Sequence, residues 1–277
     1  MIANGPPIEP WAVVLGASAG TGAAIARGVA EDPGLHVFGA HRGRHPELAD
    51  ALQAEILRTG RRFVPFLGDA GTVEGVAAGA DALLAAAGPR SVRFFVHSIA
   101  NASVGRLASG AEDQLAVYQF HKTFDSMAHS FVWWVQAMLA RDLLADGARL
   151  LALTNPLHES LLRQCGLVVA SKAALEMYVR HLAFELGPRG YRVNMLKFPT
   201  VMTTAVEKVY SPESLARLDA THRRMIPAGR MCTVDEVARF VSLLLDDRAE
   251  WFNGATIDFT GGMTQSLLDL LLVDDAP

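Results

Sequence analysis

The stretch Gly16-Ala17-Ser18-Ala19-Gly20-Thr21-Gly22 decides the fold. It follows the apolar run Trp11-Ala12-Val13-Val14-Leu15 and precedes Ala23-Ala24-Ile25-Ala26. A short apolar run bounded by a turn reads as a buried strand, and the alanine-rich continuation reads as a helix. Each glycine then has its own task. Gly16 permits a tight turn, Gly20 lets the backbone approach a pyrophosphate, and Gly22 lets the helix pack closely on the strand. The helix start offers unpaired N–H groups and its positive dipole end to phosphate oxygens. A glycine triplet alone is a weak signal; between the first strand and first helix of an alternating chain it is a specific one.

That alternation runs along the chain. Strands are predicted at residues 11–15, 36–40, 63–67, 92–98, 149–154, 192–197 and 255–259, and helices at 22–30, 46–58, 73–87, 111–144, 161–186 and 235–245. Several strands carry Val, Leu and Phe on both alternating faces, as strands covered on both sides must. The fold class expected is therefore α/β: a single Rossmann-type, doubly wound parallel sheet of about seven strands with helices on both faces. Residues 1–277 form one dinucleotide-binding domain on this reading. Thr233-Val234-Asp235-Glu236 is a capping box that starts the last helix. Residues 201–231 break the pattern: Ser211-Pro212 starts a helix and Ile226-Pro227 stops one, with no strand between. This insertion is either a substrate lid or a packed surface helix pair.

Composition excludes several classes. Half of the 277 residues are apolar, enough for a core covered on both faces, and the net charge of −4 provides no basic field for nucleic acid. No apolar run reaches the roughly 20 residues that span a bilayer, and Met1-Ile2-Ala3-Asn4-Gly5-Pro6-Pro7 lacks the charged and apolar regions of a signal peptide. Two cysteines, Cys165 and Cys232, are too few for a disulfide framework. A cytoplasmic location is expected, and no Cys/His cluster has metal-ligand spacing.

The second strand runs into Gly39-Ala40-His41-Arg42-Gly43-Arg44. A carboxylate here would bind the adenine-ribose hydroxyls of NAD; none is present. Arg42 and Arg44 suit a 2′-phosphate instead, which favours NADP(H), with NAD(H) as the alternative.

Further motifs carry a family resemblance. The Gly16-x-x-x-Gly20-x-Gly22 spacing resembles that of the short-chain dehydrogenase/reductase superfamily. His97-Ser98-Ile99-Ala100, Phe124-Asp125-Ser126-Met127-Ala128-His129-Ser130-Phe131 and Lys172-Ala173-Ala174-Leu175-Glu176 resemble its enoyl-acyl-carrier-protein reductase branch. Gly254-Ala255-Thr256-Ile257-Asp258-Phe259-Thr260-Gly261-Gly262 is similar to the terminal strand, with Thr260 where Asp is usual. The resemblance covers roughly residues 10–265. It implies cofactor contacts from Gly16, Ser18, Gly20, Thr21 and Gly22 in the first loop, and from Arg42 after the second strand. Asp69 and Ala70 would meet the adenine, and Ser98, Ile99 and Ala100 would pass the adenine ribose. Lys172 would hold the nicotinamide-ribose hydroxyls, with Val201 and Thr203 against the carboxamide and phosphates.

The departures cluster at the reacting centre. Most of the superfamily has a tyrosine four residues before the lysine, where Val168 stands; the enoyl-reductase branch has it seven before, where Cys165 stands. Thr154 matches the usual catalytic serine, Asn155 matches another tyrosine position of that branch, and Ser126 matches a helix asparagine. The catalytic candidates are thus Lys172, Cys165, Asn155 and Thr154, with His158 as a further acid or base. A thiol beside Lys172 has a route to a lowered pKa.

Three readings stay open. One is an NADP(H)-dependent reductase of an α,β-unsaturated acyl thioester or related carbonyl, whose enolate needs no strong acid. Another is a repurposed non-redox enzyme on the same fold, and the last is an inactive nucleotide-binding protein. The substrate is a small or carrier-bound acyl molecule, with neither nucleic acid nor membrane as partner. Residues 131–139 are apolar around most of a helix and point to a homotetramer or homodimer. The apolar run at 266–273 would cross a subunit interface or cover the pocket.

Overall fold

The computed structural model describes residues 8–156, 161–203, 206–207 and 211–266. Seven parallel strands form one sheet: β1 (Trp11–Leu15), β2 (His36–His41), β3 (Phe63–Leu67), β4 (Val92–His97), β5 (Leu144–Thr154), β6 (Arg192–Lys197) and β7 (Thr256–Asp258). Their order is β3-β2-β1-β4-β5-β6-β7. The order reverses at β1, and a crevice opens there at the carboxyl ends of β1 and β4, the place where open α/β sheets bind ligands.

Both faces of the sheet are covered. Ala12, Val14, Val37, Phe94 and Val96 pack against α1 (Gly20–Glu31), α2 (Pro46–Arg58) and α8 (Val234–Leu243). Val13, Phe38, Phe95, Leu150 and Val193 pack on the other side against α3 (Val73–Ala87), α5 (Ser130–Ala140) and α6 (Gly166–Leu186). Alternation along each strand sends neighbouring side chains to opposite cores. Trp134 is fully buried in the second core, and its indole N–H donates to Ala70 O at 3.0 Å.

Element boundaries moved where local chemistry outweighed periodicity. The helix expected at 111–144 divides into α4 (Val117–Phe124), a π turn (Asp125–His129) and α5, and it ends at Ala140. Leu144 belongs to β5 instead. Between its pairings Val92↔Leu144 and Phe94↔Arg149, β5 carries a bulge, turned by Gly147 at a φ of 70°. The helix expected from 161 begins at Gly166. The capping box is present: Glu236 N–H donates to Thr233 Oγ1 at 3.2 Å, and Thr233 N–H donates to Glu236 Oε2 at 2.9 Å. In the 201–231 stretch one helix, α7 (Pro212–Met225), is described; Ser211 caps it and Ile226 ends it. Ile226 and Pro227 rest against Gly261 and Gly262, beyond β7.

Lys197 and Asp258 join the ends of β6 and β7 in an ion pair at 2.9 Å. Asp258 Oδ1 also accepts from Thr260 N–H at 3.0 Å and from the Thr260 hydroxyl at 2.5 Å. Burial pushes the Asp258 carboxyl upward, and the hydrogen bonds from Thr260 and Lys197 outweigh it and hold the pKa below its usual value.

Trp134→Ala removes a fully buried indole and leaves the Ala70 carbonyl unpaired. A loss of about 3–5 kcal/mol in unfolding free energy is expected, measured by urea titration; a change below ~1 kcal/mol would contradict the packing described.

Candidate functional site

The glycine turn works by close approach. Gly16 has a φ of 81°, and a side chain there would meet Ser98 O at 2.4 Å. A Cβ on Gly22 would lie 2.1 Å from Gly16 O. Backbone thus packs on backbone where β1 turns into α1, and Gly16 N–H donates to Ala40 O at 2.9 Å. The α1 N-cap is Ala19, with no side-chain cap. The first N–H groups of α1 therefore face the crevice without a side-chain acceptor, as an anion site requires. Thr203, far along the chain from the glycine turn, is brought against Gly20: a Cβ on that glycine would lie 3.2 Å from Thr203 Cγ2. The residues present fit a pyrophosphate.

The ends of β2 and β3 are joined by charge. Arg42 Nη1 lies 3.7 Å from Asp69 Oδ2, so both predicted contacts share one corner. Asp69 Oδ1 also accepts from Gly71 N–H at 3.0 Å, while Thr72 caps α3. Arg44 is exposed and outside this pair. Ser98 N–H donates to Leu15 O at 3.1 Å, which holds residues 98–100 beside the glycine turn.

The candidate catalytic residues lie at the carboxyl end of β5 and on the first turns of α6. Lys172, on the second turn of α6, is buried and donates from Nζ to Leu153 O at 2.8 Å. Burial lowers its pKa from 10.5 to about 8. Thr154 is buried at the end of β5, in register with Lys197, and its hydroxyl donates to Asn155 O at a long 3.4 Å. Cys165 is the N-cap residue of α6. Its thiol runs opposite to the activation expected: burial raises its pKa above 9.0. Cys165 therefore stays a protonated S–H near neutral pH, suited to donating a hydrogen bond and unsuited to attack. Val201 is buried in the core under α1 and α8, so its side chain supports the crevice wall. His158 lies outside the described residues. Among those described, no group of His, Cys, Asp and Glu is arranged to hold a metal ion, and no helix is long and apolar enough to cross a membrane.

Two polar features escaped sequence reasoning. The Lys197–Asp258 pair is one. The other is His97, fully buried at the end of β4, with Nε2 at 2.8 Å from Ser130 Oγ. The available signal was an imidazole in a strand whose neighbouring residues Phe94, Phe95 and Val96 are all apolar.

Residues 16–264 match the family model described as Enoyl-(Acyl carrier protein) reductase. The chain belongs to this family of short-chain dehydrogenase/reductase oxidoreductases. It is 32% identical to Dehydrogenase OXI1 of Cochliobolus heterostrophus over 66% of this chain and 76% of that protein. It is 27% identical to 1-cyclohexenylcarbonyl-CoA reductase of Streptomyces collinus over 91% of this chain and 86% of that one. Among solved structures, a short chain dehydrogenase from Burkholderia cenocepacia in complex with NADP superposes with a TM-score of 0.76 at 26% identity, covering 93% of this chain and 99% of that one.

Gly22→Ala would drive a methyl group into Gly16 O. A destabilisation of about 1–3 kcal/mol is expected, together with loss of nucleotide binding; wild-type urea midpoint and affinity would refute the close approach.

Proposed function

We propose that this oxidoreductase is an NADP(H)-dependent reductase of an α,β-unsaturated acyl thioester or a closely related conjugated carbonyl. The observation that carries the reading is the uncapped glycine-rich start of α1 after β1, in the same sheet whose β5 end holds a buried, desolvated Lys172. The α1 N–H groups and Thr203 would hold the pyrophosphate, Asp69 the adenine, Arg42 the 2′-phosphate, and Lys172 the nicotinamide-ribose hydroxyls. When bound, the nicotinamide supplies a hydride. The NADP complex of the Burkholderia cenocepacia relative and the acyl-CoA named for the Streptomyces collinus reductase support the cofactor and the substrate class.

The rest of the chemistry falls to this chain. Hydride arrival at the β-carbon leaves an enolate oxygen that needs donors already in place. Cys165 contributes a neutral thiol, and Asn155 contributes an amide at the end of β5. Neither is a strong acid, and neither has to be: the α-carbon takes its proton later, from water. A ketone's alkoxide would require a proton donor at once, which disfavours ordinary carbonyl reduction at this centre. Val168 and Cys165 at the two tyrosine positions also favour a second reading, a non-redox step on the same fold.

Purified protein mixed with NADPH and crotonyl-CoA or a longer enoyl-thioester is expected to consume absorbance at 340 nm. Lys172→Ala should weaken NADPH binding about ten- to hundred-fold, the worth of hydrogen bonds to a charged group. Tight NADPH binding without turnover of any enoyl-thioester would favour the non-redox reading. No NADPH binding at millimolar concentration would sink both.

Lys172 also predicts a pH dependence. Its ammonium deprotonates near about 8 in the free protein, so NADPH affinity should be full below that pH and fall as pH rises through it. The fall should be absent in Lys172→Met; a wild-type affinity unchanged to pH 9.5 would contradict the assignment.

A further inference from the structure

The buried polar chain behind Lys172 has an unsatisfied end. His97 Nε2 lies 2.8 Å from Ser130 Oγ, and Ser130 Oγ lies 2.9 Å from Ser126 O. A backbone carbonyl only accepts, so the Ser130 hydroxyl donates to Ser126 O. With that donation kept, the same oxygen accepts from His97 in the tautomer that carries the imidazole proton on Nε2. Nδ1 is left as a bare acceptor, and it is buried with no hydrogen-bond partner among the described residues. Burial leaves the ring neutral, with its pKa lowered to about 3, and the Lys172 charge acts in the same direction.

The placement is set by tertiary structure. His97 pairs in register with Ala152, next to Leu153, whose carbonyl takes one N–H of Lys172. The ring is held edge-on against Phe131, with centroids 5.8 Å apart. The π turn sets Ser130 opposite the ring: Ser130 N–H donates to Asp125 O, five residues back instead of four. Without that extra residue the helix would present a different side chain to His97, and π turns of this kind concentrate at functional sites. A buried ammonium has three donors and a buried Nδ1 has one lone pair. Buried polar groups of native proteins are almost always satisfied, by ordered water where no protein atom reaches.

We propose that His97 is the positioning residue of Lys172: one buried water accepts from the Lys172 ammonium and donates to His97 Nδ1, aiming the ammonium into the crevice. The inference rests on the reading of Lys172 as the ribose-holding residue. His97 touches neither cofactor nor substrate; it acts through the lysine, with Ser130 and the π turn fixing its tautomer.

The two nitrogens can be tested separately. His97→Asn keeps a carbonyl oxygen near the Nδ1 position and drops the Ser130 contact; His97→Gln reaches Ser130 and drops the Nδ1 acceptor. NADPH affinity is expected to stay within about threefold in His97→Asn and to fall about tenfold in His97→Gln, with no further fall when Gln is introduced into Lys172→Ala. Equal losses in both variants, or a loss in His97→Gln that persists without Lys172, would overturn the inference. So would a proton on Nδ1 in the nitrogen-15 spectrum of the wild-type histidine, a readout that needs neither variant to fold. Unchanged NADPH affinity in Lys172→Ala would instead sink the cofactor reading. A weakened Lys172→Ala beside an unaffected His97→Gln would sink only the role of His97.

Discussion

The contact on which the site depends is backbone against backbone at the switch in strand order. Gly22 lies under Gly16 O, and Gly16 lies under Ser98 O, with room for neither Cβ. This double approach lets α1 begin directly above β1 and lets residues 98–100 run beside it. An uncapped helix start, a strand-end turn and Thr203 meet there because nothing bulkier keeps them apart. Hydrophobic burial on both faces supplies the stability of the sheet. The absence of two methyl groups gives it a crevice.

At the other end of the crevice, desolvation sets the chemistry. Burial weakens the hold of Lys172 on its proton, raises the thiol of Cys165 and keeps His97 neutral. All three shifts favour the uncharged form, as low local dielectric requires. Lys172 is thus an ammonium made more acidic by burial. On the proposed reading, such a centre would suit stabilising an enolate better than driving a proton onto an alkoxide. A reacting centre without the family's tyrosine is coherent on this account.

Much of the fold was legible from local pattern. All strands but β5, which begins five residues earlier than expected, were predicted within a residue or two because each is a short apolar run bounded by turn residues, and the Thr233–Glu236 cap and the Ser211-Pro212 start were legible from their residue types. Errors arose where a long stretch without Gly or Pro hid a change of state. Residues 111–144 hold a turn, two helices, a π turn and the start of a strand, with no Gly or Pro to mark the changes. The bulge turned by Gly147 leaves little trace in hydrophobic period.

The sequence by itself determined the parallel alternation, the glycine turn, Lys172 and the absence of tyrosine at positions 165 and 168, because each is a matter of residue type and spacing within one segment. Tertiary structure alone decided that Arg42 pairs with Asp69, Lys197 with Asp258, and His97 with Ser130. It also decided that Cys165 is held protonated instead of activated. Those outcomes rest on burial and on contacts between distant segments. Neither quantity exists until the sheet has brought its carboxyl ends together.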